Sequence, residues 1–143
     1  RKPYRPLPCP DAGRRPQPGR RVSAAAWQRL EGAGLALGGL LIAFFAAPGW
    51  GALVWIGLLV APDLAMLGYL AGPRIGAHVY NCAHIYALPL LLTVLGVALG
   101  STALIAAGGL WLAHVGADRA LGLGLKLPGG FRDTHLGRIG HKY

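Results

Sequence analysis

The chain has 143 residues, 54% of them hydrophobic and only 13% charged, with a formal net charge of +9 and a mean hydropathy of +0.46. Soluble domains carry about a quarter charged residues, so this composition excludes an ordinary water-soluble globule, and the length holds one domain at most. The placement of the charge excludes a nucleic-acid partner. Eight of the fourteen Lys and Arg precede Leu30, five follow Ala117 and the other is Arg74, with no aromatic-interleaved basic face among them.

Residues 1–22 are basic and Pro-rich and hold too few large apolar groups to fold alone. They read as a cytoplasmic tail, or as an arm lying on another subunit of a membrane complex. Ser23 is the expected N-cap of a helix opening A-A-A-W-Q-R-L-E, and Trp27, Arg29 and Glu31 suit the lipid headgroup zone. No cleavable signal peptide is expected, because the first apolar run begins late and lacks a small-residue cleavage pattern.

Between Gly32 and Gly116 only Asp63 and Arg74 carry formal charge, and an apolar stretch far beyond about 20 residues means membrane spans. Residues 23–121 therefore read as a four-span transmembrane domain, with spans at about 32–47, 50–71, 75–99 and 102–120. The predicted fold is an all-α polytopic membrane four-helix bundle. Four spans put both termini on one side, and every Lys and Arg falls there, so the topology is N-in, C-in. The expected setting is the bacterial inner membrane, with lipids as the principal partner.

Within the spans, Gly34 and Gly38 are spaced for close helix approach. Pro62 predicts a kink in the second span and Pro89 another in the third. Cys9 and Cys82 give no disulfide framework, and Cys82 is expected as a small buried apolar residue. Residues 122–143 hold six glycines and one proline and read as a Gly-rich cytoplasmic C-terminal tail.

The chemistry gathers around a predicted helical hairpin turning at Gly72-Pro73-Arg74. Asp63 lies ten residues before Pro73 and His84 eleven after it, so at about 1.5 Å per residue both sit at nearly one depth. Tyr80 and Asn81 share a helix face with His84, and His114 and Asp118 stand i, i+4 on the fourth span. His78 points elsewhere and reads as interfacial. Two imidazoles and two carboxylates in an apolar bundle suit a divalent metal such as zinc, manganese or iron. In that arrangement Asp63, His84, His114 and Asp118 are ligands, and Tyr80, Asn81 and Arg119 orient them. Asp133 and His135, in the tail on the same side, are the candidate acid and base. The same groups also suit interhelical clamps in a non-enzymatic accessory subunit, or axial ligation of a haem or chlorophyll-type pigment.

At P-D-L-A-M-L-G-Y-L-A-G-P-R-I-G, Y-N-C-A-H-I-Y-A-L-P, W-L-A-H-V-G-A-D-R-A-L-G and G-F-R-D-T-H-L-G, the chain resembles a family of small bacterial integral-membrane proteins catalogued as a domain of unknown function (DUF4260). The resemblance covers about Gly32 to Gly137. It implies membership, a membrane topology and a signature set of Asp63, Asn81, His84, His114, Asp118, Arg119, Asp133 and His135. A weaker similarity, at Pro62-Asp63 and at His114 with Asp118, is to bacterial inner-membrane proteins regarded as metal-dependent hydrolases. Their N-terminal His-Arg and Thr-His-Ser elements are missing here, and Thr134-His135 is the only counterpart.

Overall fold

The computed structural model describes residues 23–140; the arm expected over residues 1–22 lies outside the described residues. The described chain opens with α1, Ala24–Ala46, capped by Ser23, whose side chain accepts from the Ala26 N–H at 3.2 Å. Next come α2, Ala52–Val60, and a 3-10 helix, Ala61–Ala71, which together make one rod. After a turn at Gly72 follow α3, Pro73–Ala83, α4, Ala87–Ala98, and α5, Thr102–Leu121. A two-residue antiparallel pair, β1 (Asp133–Thr134) and β2 (Gly137–Arg138), finishes the described chain. The fold is therefore an all-α four-helix arrangement, with the second and third members each interrupted.

Three of the four, Ala24–Ala46, Ala52–Ala71 and Pro73–Ala98, are long and apolar enough to cross a membrane. Their outer faces are the reverse of a soluble surface: Phe45, Leu53 and Leu70 are 77%, 86% and 88% exposed. Large apolar side chains so displayed suit contact with lipid. The chain is a multi-pass membrane protein. The fourth helix, α5, is the central one, with eleven of its twenty residues buried. Its neighbours shield it from lipid, so it tolerates His114, Asp118 and Arg119 along its length.

Small residues set how closely α5 is approached. Gly32, Ala36, Gly39 and Ala43 form one face of α1 and meet Gly116, Ala113, Gly109 and Ala106 of α5, running antiparallel. A Cβ at Gly39 would stand 2.6 Å from the Ala113 nitrogen, and one at Gly116 2.7 Å from the Gly32 oxygen, closer than any side chain permits. The expected pair Gly34 and Gly38 does not make this contact, since a Cβ there meets nothing within 4 Å. A four-residue spacing cannot tell the buried face from the lipid face when both are apolar.

Both prolines act, though not where a simple kink would fall. Pro62 lacks an N–H, and from Ala61 the α-helix gives way to eleven residues of 3-10 winding. Three residues per turn stack side chains in files. Leu64, Leu67 and Leu70 face outward at 67%, 63% and 88% exposure, while Asp63, Met66 and Tyr69 face the protein. Pro89 breaks the third rod upstream of itself, at His84 to Tyr86, where its missing N–H and its ring disturb the preceding turn. Cys82 is exposed on the outer face of α3, not buried as expected, because the inward positions of that helix are taken by Gly76, Ala77 and Tyr80.

Candidate metal centre

The break after α3 is what turns His84 into the bundle. At the helix end the His84 N–H bonds the Asn81 carbonyl at 3.1 Å, one residue short of the α pattern. That leaves the Tyr80 carbonyl free, and it accepts from His84 Nδ1 at 2.9 Å. A carbonyl only accepts, so Nδ1 carries a proton, and in the neutral imidazole Nε2 then presents its lone pair inward. Two further carbonyls exposed by the helix end are taken by α5: Trp111 Nε1 donates to the Ala83 oxygen at 2.7 Å and Arg119 Nη2 to the His84 oxygen at 2.8 Å. The imidazole is wholly buried and stacks on the Tyr80 ring, with centroids 3.7 Å apart and planes at 12°.

His84 Nε2 faces His114 Nε2 at 3.1 Å. Asp63 Oδ1 lies 3.5 Å from each of them. Separations of 3.1, 3.5 and 3.5 Å put the three atoms on a circle of radius about 2 Å, and zinc–nitrogen and zinc–oxygen bonds are about 2.0–2.2 Å long. These three residues form a group able to hold a metal ion. Asp63, the most accessible of them at 40% side-chain exposure, leaves one side of the group open.

Asp118 stands just outside the three. Its Oδ2 is 3.6 Å from His84 Nε2 and 4.0 Å from His114 Nε2, and it accepts from the Tyr80 hydroxyl at 2.9 Å. Tyr80 thus supports the cluster twice, through its ring under His84 and its hydroxyl on Asp118. Arg119, besides latching the His84 carbonyl, donates to the Leu123 oxygen at 2.7 Å. Asn81 does not touch the cluster. Its side chain holds the Lys126 backbone, accepting from the N–H at 2.7 Å and donating to the carbonyl at 2.9 Å.

The tail folds back on the helices. Gly122, at φ 86°, ends α5 in a left-handed turn, with its N–H on the Arg119 oxygen and the Leu123 N–H on the Asp118 oxygen. Arg29 Nε donates to the Ala120 carbonyl at 2.9 Å, tying α1 to the same end. The segment around Lys126 then pairs with Thr134, which pairs onward with Gly137. Here the candidate acid and base part company. The Asp133 carboxylate faces Arg138 at 3.6 Å on the surface. His135 Nδ1 accepts from the Leu125 N–H at 2.8 Å, and its ring joins Glu31, His84 and Arg119 in lining a cavity of about 220 Å³. His78 is exposed and takes no part in the cluster.

One residue escaped the sequence reading. Lys126 is buried, with its Nζ 4.1 Å from the Phe131 ring centroid and 5.0 Å from that of Tyr80. Burial pushes its ammonium below the ordinary lysine range, against the opposing pull of Asp118 and Asp63. The signal was slight: one cation amid alternating leucines, Leu123, Leu125 and Leu127. Asn81→Ala is expected to free this segment while leaving the helices folded. Amide exchange at Lys126 should rise steeply, and unchanged protection would show that Asn81 is not the clamp.

Residues 25–139 match the family model described as Domain of unknown function (DUF4260), and the chain belongs to that family. No curated protein and no solved structure matches it.

Proposed function

From membership in a family whose description names no activity, we propose that this chain is a metal-dependent hydrolase of the bacterial inner membrane, with His84, His114 and Asp63 as the metal ligands. The observation that carries the reading is the circle of about 2 Å radius through His84 Nε2, His114 Nε2 and Asp63 Oδ1, which fits the bond lengths of a first-row divalent ion. Two nitrogens and one oxygen with an open side is the donor set of catalytic rather than structural zinc. When bound, such an ion polarises an acyl or phosphoryl oxygen and brings the pKa of a water towards neutrality.

The chain's own groups do the rest. Asp118 Oδ2, held by the Tyr80 hydroxyl, takes the proton of the attacking water. The water oxygen bonds to the ester centre, the ester bond breaks, and Asp118 returns the proton to the departing oxygen. Tyr80 and Arg119 keep Asp118 and His84 in place. His135 shares a cavity with His84 and Arg119 rather than with Asp118 and is the candidate for proton exchange there, whereas Asp133, paired with Arg138, serves the tail. The ester belongs to an amphiphile, since the centre lies among helices that face lipid. The basic ends of the chain favour an N-in, C-in topology with this centre towards the cytoplasm.

A pairwise clamp needs no third oxygen equidistant from both ring nitrogens. Axial ligation of a macrocycle by His84 or His114 needs that imidazole's nitrogen clear of other side chains, whereas each stands 3.1 Å from the other. Metal analysis of the detergent-purified protein tests the reading. About one zinc, manganese or iron per chain is expected, removable by chelation and restored on adding the ion. No metal after reconstitution would refute the centre.

A further inference from the structure

We propose that Lys126 forms an anion-recognition site beside the metal centre, and that the group it takes is the phosphate of a phosphate ester. This rests on the centre proposed above and names the class of its substrate.

Lys126 is 4% exposed, and Asn81 fixes its backbone through both ends of one amide. Among the described residues its ammonium makes no hydrogen bond or ion pair. The faces of Phe131 and Tyr80 offset part of its lost hydration, but a buried cation with no carboxylate in direct contact remains costly. Lys126 lines a cavity of about 230 Å³, walled also by Asp63, Tyr80, Asp118 and Phe131. An anion in that cavity would lie beside Lys126 and beside Asp63, the accessible member of the three metal ligands.

The charge balance points the same way. Asp63 and Asp118 cancel Arg119 and Lys126, so a divalent ion leaves two positive charges in excess within a low-dielectric bundle. Arg119 is already engaged by two carbonyls, which leaves Lys126, among the described residues around this cavity, as the cation free to meet a ligand. A phosphate monoester dianion matches that excess, and a metal ion with a lysine is a recurrent clamp on phosphoryl oxygens. A phosphate-headed membrane lipid and a water-soluble phosphate ester present the same group.

The test uses the full chain in detergent, loaded with zinc, and titrated calorimetrically with inorganic phosphate. A second arm uses native mass spectrometry to compare retention of phosphatidic acid with that of phosphatidylcholine. Lys126→Met is expected to weaken binding about tenfold to a hundredfold with zinc content unchanged, and Lys126→Arg to restore most of it. Asn81→Ala, which displaces Lys126 but keeps its charge, should weaken binding too, and it decides the matter if Lys126→Met does not fold. Lys126-dependent retention of phosphatidic acid alone assigns the lipid source, and Lys126-dependent binding of inorganic phosphate alone assigns the soluble one. Equal binding by wild type and variants in both arms, with zinc retained, overturns the anion site and leaves the metal centre standing. Lys126-dependent phosphate binding by protein that never takes up zinc overturns the metal centre instead.

Discussion

Replacing His84 by Ala is expected to reduce the metal content of the purified protein from about one ion per chain to near none. Loss of a group that merely orients a ligand typically costs 10–100-fold in metal affinity, and removal of one of three direct donors costs more. His84 is also the best fixed of the three, with its ring nitrogen on the Tyr80 carbonyl and its own carbonyl on Arg119. Because its side chain is wholly buried, the variant opens a cavity, and His114→Gln, which keeps most of the volume, is the companion that separates lost ligation from lost folding. Asp118→Asn should behave differently. Its oxygen lies outside the circle drawn by the other three, so it should retain the ion. Full metal occupancy in His84→Ala and His114→Gln would show that these imidazoles are an interhelical clamp.

The second large effect concerns the seam between α1 and α5. Gly39→Leu is expected to destabilise the protein by about 3 kcal/mol or more, the upper range for overpacking, because the new Cβ would press on backbone atoms of Gly109 and Ala113. Backbone cannot swing aside as a side chain does, so the helices must separate. That separation also carries His114 and Asp118 away from their partners. Gly38→Leu, one residue along, meets nothing within 4 Å and should be close to neutral. Thermal unfolding in one detergent distinguishes the two, with a fall of ~10 °C or more for Gly39→Leu. Equal midpoints would mean that α1 does not pack on α5 through this face.

The convergence of Asp63 and His84 was legible in the sequence because it depends on little. Two roughly equal arms about Gly72-Pro73 bring their far ends to nearly one depth, and the change of winding in the first arm shifts that match by only a few ångströms. His114 and Asp118 were readable for a similar reason, since an i, i+4 pair on one unbroken helix has few places to go. Local winding was not readable. Pro62 announces a disturbance, but whether the chain kinks or changes to 3-10 depends on what its neighbours supply. The lipid-facing and protein-facing sides of α1 carry the same kinds of residue, so Gly32 and Gly39 could not be told from Gly34 and Gly38. Lys126 was hidden for another reason: its burial depends on the tail folding back onto Asn81, a contact across 45 positions. Asp133 and His135 looked alike as neighbours in a loop, yet the turn between β1 and β2 gives them different surroundings.

The tightly wound segment Ala61–Ala71 also bears on how the protein fits its bilayer. A 3-10 helix advances about 2.0 Å per residue where an α-helix advances about 1.5 Å. Eleven residues wound this way gain about 5 Å of reach over the same residues in α form. The second rod, with 20 residues against 23 in α1, thereby attains a similar length of about 35 Å, enough for a hydrocarbon layer of about 30 Å with modest tilt. Unwinding to a regular α-helix would shorten it and pull its apolar end away from the layer's far boundary. Bilayer thickness should therefore bear on the stretch that holds Asp63, with a thicker membrane favouring the extended form.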